Sequence, residues 1–260
     1  MVSDPFLFAS QTHLNLIKFL RRRKTAEWEI VMFDKIIDGF VKTFIVEDRY
    51  KMFLNGFWNT IQIAFVATLI GVLIGAVVAV IRVYHKQTGK LRVLDKICEL
   101  YTTIIRGTPV VVQLLITYNI IFVWSTQPVL VGMLGFGLNS GAYVAEIMRG
   151  GINAVDIGQT EAGRSLGLSS FTTMKSIVLP QAIKNVLPAI GNEFISLLKE
   201  TSIIGFLGVI DLTKAAERVI SRTMDVYFPY ISIALVYLAV VYGLSYLFKL
   251  LERRLAKSDR

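Results

Sequence analysis

Long apolar blocks separated by short polar stretches set the pattern of this chain. Such blocks lie at about Phe57 to Ile81, Glu99 to Trp124, Val129 to Met148, Pro180 to Leu198 and Val226 to Leu250. Each is near the ~20 residues that a helix needs to cross a hydrocarbon core. Only helices or closed barrels satisfy backbone polar groups in lipid, so the pattern predicts an all-α, multi-pass membrane protein with about five transmembrane helices. Ahead of these blocks, Phe33, Ile36, Ile37, Phe40, Val41 and Phe44 recur at helical spacing. Asp34, Lys35, Asp38 and Lys42 fill the other positions, which predicts a helix lying on the membrane surface.

Details within the blocks sharpen this reading. Ala67, Gly71, Gly75 and Ala79 place a small residue every four positions, a stripe that lets another helix approach closely. Pro109 removes a backbone donor from the second block and should kink or restart its helix. Arg106, just before it, is expected to snorkel or to pair with Glu99. Pro188 predicts a bend in the fourth block.

Between the third and fourth blocks runs a polar stretch, Glu161 to Pro180, too hydrophilic to sit in lipid. Glu161 to Leu166 reads as a short helix with its acid in the first turn, and Gly167 suits a left-handed stop. Ser169 or Ser170 can cap a second helix that runs through Met174 to Val178. The prediction is a helix, a tight corner and a helix, presented outside the membrane to a partner.

Charge then fixes orientation. The chain carries 28 Lys and Arg against 19 Asp and Glu, a formal net charge of +9. These charges are spread over several loops and form no continuous basic face, so no nucleic-acid partner is expected. Arg82, Lys86, Lys90, Arg92 and Lys96 follow the first block, and Lys249, Arg253, Arg254, Lys257 and Arg260 close the chain. The loop around Glu161 adds Arg149, Arg164, Lys175 and Lys184, whereas Ser125 to Pro128 has no charge. Basic loops stay in the cytoplasm, which puts the carboxy terminus and the Glu161 loop inside and the amino terminus outside. The run Arg21 to Lys24 conflicts with that topology, and we therefore expect the natural chain to start at Met32, leaving 1–31 out of the native protein.

Catalytic chemistry finds little support. Cys98 is alone, and His13 and His85 are too far apart to suggest a metal pair. No Gly-rich loop ending in Gly-Lys-Ser/Thr is present, so the chain cannot cradle ATP by itself. There is no His cluster, which argues against a membrane enzyme. Polar residues inside the spans are more suggestive. Asn139, Tyr143 and Glu146 share one face of the third block, and Asn192 and Ser196 share a face of the fourth, with Glu193 beside it. Such groups tend to face a cavity or one another, so these six are candidates for a solute path. A structural alternative pairs Glu146 with Arg149 and has Glu193 hydrogen-bonding between helices.

The motif at Glu161 carries a resemblance. Glu161-Ala162-Gly163, then Gly167, Ile177 and Leu179-Pro180, keeps the spacing of the cytoplasmic loop of ABC importer permeases. Gly163 departs from the family, which usually has alanine there. Further matches resemble the polar amino-acid branch: Arg106-Gly107-Thr108-Pro109 with Gln113, Leu138 to Tyr143, Asn192 to Ile195, and Leu251 to Leu255. The resemblance implies a permease domain over 53–255, between an amino-terminal extension with the surface helix (1–52) and a cytoplasmic tail (256–260). It also implies a non-enzymatic permease in the cell membrane that imports a polar amino acid such as glutamine, glutamate, arginine or histidine. Its implied partners are a cytoplasmic ATPase dimer that binds ATP-Mg, an extracellular amino-acid-binding protein and a second permease subunit, identical or different. The coupling residues it implies are Glu161, Ala162, Gly163, Arg164, Ser165, Leu166 and Gly167. Transport of another small polar solute, or ATP-independent secondary transport, are the alternatives.

Overall fold

The computed structural model describes residues 32–257, all connected through helices and turns with no strand among them. The basic run Arg21 to Lys24, the proposed start at Met32 and the end of the tail beyond Lys257 concern residues outside that range.

Helix α1 (32–40) ends in a widened turn, Val41–Ile45. Met32, Phe33, Ile36, Ile37 and Phe40 stand exposed along it. Phe44 anchors its end, packing on Phe53 and Phe228 with ring centroids 4.9 and 6.5 Å away.

Helix α2 (Tyr50–Thr88) is longer than the apolar block inside it. At 1.5 Å per residue it spans about 58 Å, well beyond the ~30 Å of hydrocarbon, so its polar ends project from the membrane. The small-residue stripe does what its spacing predicts. Ala67, Gly71, Gly75 and Ala79 are buried, and α2 makes its largest interface with α5 (Pro128–Asn153). A Cβ on Gly71 would sit 2.6 Å from Ser140 Oγ, and one on Gly75 would sit 2.8 Å from the Ala145 backbone nitrogen. The two helices touch along their backbones.

The second apolar block is not one straight span. It divides into α3 (Arg92–Gly107) and α4 (Val110–Ile116), the latter ending in a widened turn at Thr117–Ile121. The two halves meet at 111°. Pro109 is the cause: it cannot donate to the preceding turn, and it forces Thr108 into extended backbone (φ −124°, ψ 149°). Gln113 repairs the break, its Nε2 lying 2.7 Å from the Ile105 carbonyl and 3.0 Å from that of Thr108. Carbonyls that α3 leaves unpaired thus gain a donor from α4.

Helix α8 (Leu179–Glu200) carries Lys184, Glu193, Lys199 and Glu200, and it packs against α5, α2 and α10 (Tyr227–Lys257). Those charges keep it out of the set of plainly apolar spans. Among the described residues three helices are long and apolar enough to cross a membrane, α2, α5 and α10, and the bent pair α3–α4 makes a fourth. The expected five spans thus become three plain ones, a broken one and a charged fifth helix. The segment between the fourth and fifth apolar blocks is itself helical. There the chain forms a tight helical turn (Thr201–Leu207) and α9 (Leu212–Thr223), capped by buried Asp211, which accepts from the backbone nitrogens of Thr213 and Lys214.

Candidate functional site

The polar stretch folds as a helical hairpin. Its first arm, α6 (Ile157–Ser165), starts earlier than the sequence suggested, because Asp156 caps it by accepting from Gly158 N at 2.7 Å. Glu161 therefore lies in the middle of the helix and not in its first turn. Gly167 has φ +77°, as its place in the motif demands. Gly167 N donates to the Arg164 carbonyl and Leu168 N to that of Gly163, the paired bonds of a left-handed helix stop. Ser169 opens the second arm, α7 (Ser170–Thr173), by accepting from Thr172 N at 3.1 Å.

Gly163 decides how closely the arms meet. It is buried, and a Cβ there would lie 2.7 Å from Thr173 Cγ2 and 3.2 Å from Ile177 Cδ1. The glycine and the isoleucine of the motif touch each other inside the hairpin. Gly163 therefore serves the hairpin's own core and cannot itself face a partner. Glu161, Ala162, Arg164, Ser165, Leu166 and Gly167 are all exposed. Leu166 and Phe171, on either side of the corner, are 79% and 75% exposed, and Ile157 at the start of α6 is 74% exposed; of these the sequence reading named only Leu166.

The second arm continues without interruption into α8. A widened turn, Met174–Val178, joins them and ends with Leu179 N bonding to the Met174 carbonyl. Loosening the helix here accommodates Pro180, whose ring cannot follow an ordinary turn. The Leu-Pro end of the motif is thus the joint between hairpin and α8.

The six candidate path residues divide. Asn139 is buried and donates to Gln113 Oε1 at 2.9 Å, tying α5 to the repaired break. Ser140, next to it, donates to Glu193 Oε1 at 2.9 Å, linking α5 to α8. Glu146 is engaged by Arg149 at 2.6 Å and by Arg82 of α2 at 2.9 Å, with Arg106 of α3 at 3.9 Å. Arg106 also lies over the Tyr143 ring, 5.5 Å from its centroid, so it joins Glu146 and Tyr143 and not Glu99 as expected. Tyr143 and Asn192 are exposed and Ser196 is half-buried. Asn139, Glu193 and Glu146 thus have protein partners, while Tyr143, Asn192 and Ser196 keep open surface.

The Asp156 cap gives a local test. Asp156→Ala removes one cap bond, worth about 1 kcal/mol, so hydrogen exchange at the first α6 amides should rise about fivefold. Unchanged exchange would show that the cap does not hold the arm.

Fold and hairpin together define a membrane-embedded helical subunit with one polar elbow between two of its long helices. The chain belongs to the binding-protein-dependent transport system inner membrane components, whose family pattern matches residues 71–257. It is 39% identical over 214 residues to a protein of Rickettsia bellii named for glutamine transport as a system permease, covering 79% of this chain and 93% of that one. It is 36% identical over 209 residues to an arginine transport system permease protein of Bacillus subtilis, covering 79% and 93%. Among solved structures, an amino acid ABC transporter crystallised with histidines is 40% identical, with a TM-score of 0.75 over 81% of this chain and 98% of that one.

Proposed function

We propose that this chain is the membrane subunit of an ATP-driven importer of a polar amino acid. The single observation that carries the coupling role is the hairpin. It presents an exposed apolar tip at Leu166 and Phe171, on either side of its corner, with Ile157 exposed at the start of α6, and its second arm runs into α8 without a break. A cytoplasmic ATPase that seats this tip would move α8 when its own two halves close on ATP. The bonds from Ser140 to Glu193 and from Asn139 to Gln113 then pass that movement to α5 and to the α3–α4 break. The nucleotide and its magnesium belong to the ATPase. Solute arrives from an extracellular binding protein and crosses beside a second permease subunit. Tyr143, Asn192 and Ser196, which keep open surface, are the first contacts we assign to it, with Glu193 nearby.

Relatives named for glutamine and arginine support the amino-acid assignment, since one scaffold serves substrates that share only the ammonium and carboxylate. The basic inner loops support a cytoplasmic hairpin and carboxy terminus with the amino terminus outside. Affinity capture of the tagged chain should bring down an ATPase. Vesicles loaded with ATP should accumulate labelled glutamine, arginine or histidine when the binding protein is supplied. Accumulation that persists without ATP and collapses with the ion gradient would instead make this a secondary transporter.

A further inference from the structure

A crevice of about 470 Å³ opens between α2, α8 and α10, and neither the hairpin residues nor Asn139 and Glu193 are among its lining. Its walls are Leu69 of α2, Leu187, Pro188 and Gly191 of α8, and Phe248 and Leu251 of α10. The volume is that of a cleft for a small ligand. Leu69, Leu187 and Leu251 stand exposed along it, so the slot is open sideways. Phe194 and Phe248 close one end, meeting edge to face at 6.4 Å. The walls offer almost nothing polar until the other end, where Glu252 and Arg254 stand at the mouth.

We infer that this crevice holds an acyl chain of an anionic phospholipid from the cytoplasmic leaflet, with the phosphate at Arg254. Two features select that occupant. The first is charge: Arg254 stands at the mouth, Lys249 and Arg253 lie within two turns of it along α10, and Glu252 is the one acid in that stretch, on the side where basic residues place the cytoplasm. A zwitterionic headgroup gains little there, whereas an anionic one meets an excess of cations. The second is the bareness of α10, of whose most apolar stretch only 6% is buried against the rest of the chain. Pro188, inside α8, adds its ring to the apolar wall. Seated there, the chain would fill the gap between α8, which the hairpin drives, and α10, which otherwise rests on it lightly.

The test uses the assembled transporter extracted in mild detergent from membranes containing phosphatidylglycerol and phosphatidylethanolamine. Native mass spectrometry should find phosphatidylglycerol retained on the complex in preference to phosphatidylethanolamine. Arg254→Glu should lower that retention about fivefold or more, because each basic contact with an anionic headgroup contributes about that factor. Leu187→Trp, which fills the slot and leaves the mouth intact, should lower retention of both lipids while the ATPase still co-purifies. Equal retention of the two lipids, or wild-type retention in both variants, would overturn the inference. So would a disulfide-linked permease dimer formed by Leu187→Cys in a Cys98→Ser background, which would show that a second copy covers the crevice.

Discussion

Gly163→Leu is expected to abolish uptake while the long helices stay folded. Gly163 is the point at which the two arms of the hairpin touch, with Thr173 packed directly over it. Thr173 is only 1% exposed, so its methyl has nowhere to swing. Overpacking a tight contact costs about 1–3 kcal/mol when the surroundings can yield. A four-residue helical arm offers little that can, so the arms should part and α7 should lose its place at the head of α8. The expected readout is no ATP-dependent uptake and weak capture of the ATPase, with normal detergent-extracted yield. A paired substitution makes the claim specific. Thr173 Oγ1 is buried without a hydrogen-bond partner, so Thr173→Ala removes bulk and leaves no donor stranded. Gly163→Ala alone should impair uptake, and Gly163→Ala with Thr173→Ala should restore much of it. If the double variant is no better than the single one, the contact is not what sets the hairpin.

The features that sequence alone made legible are those governed by neighbours along the chain. Gly167 had to be left-handed because nothing else stops a helix so abruptly before Ser169, and its φ of +77° agrees. The four-residue stripe on α2 announced a close helix contact, and Pro109 announced a break. Contacts between distant segments were not legible. The inward turn of Gly163 follows from where Thr173 lies across the corner, which spacing does not reveal. Asp156 was available as a cap, but the acid at Glu161 drew the helix start toward itself. Helix α9 was hidden because twelve residues of mixed charge resemble a loop when the buried side of Leu212, Ala215, Ala216 and Val219 is not known. Arg82 lies 64 residues from Glu146, and no local pattern pairs them.

That pairing carries the other large effect. Glu146 receives Arg149 through Nη2 at 2.6 Å and Nε at 3.1 Å, and Arg82 through Nη1 at 2.9 Å. Arg106 waits at 3.9 Å, and Arg82 also reaches Asp95 of α3 at 3.7 Å. One carboxylate thus holds guanidinium groups from α2, α3 and α5 at the end of α5 that leads to the hairpin. The side chains of Glu146 and Arg82 are 19% and 22% exposed, so water screens their attraction only in part. Glu146→Gln leaves Arg106 and Arg149 without their shared anion and Arg82 with Asp95 alone. Losing one partner of such a pair costs about 3 kcal/mol, the lower end for buried pairs. In a chain of this size that should lower the unfolding midpoint by about 6–12 °C. Glu146→Asp, which keeps the charge on a shorter arm, should fall between the two. Adding Arg149→Gln to Glu146→Gln should recover part of the loss, because it removes one of the stranded cations, whereas independent effects would simply add. The same variants separate structure from transport. If Glu146 only ties the three helices, uptake should track the midpoint through the series and return with the double variant. A double variant that regains its stability but not its uptake would move Glu146 from the frame of the permease to the path of the solute.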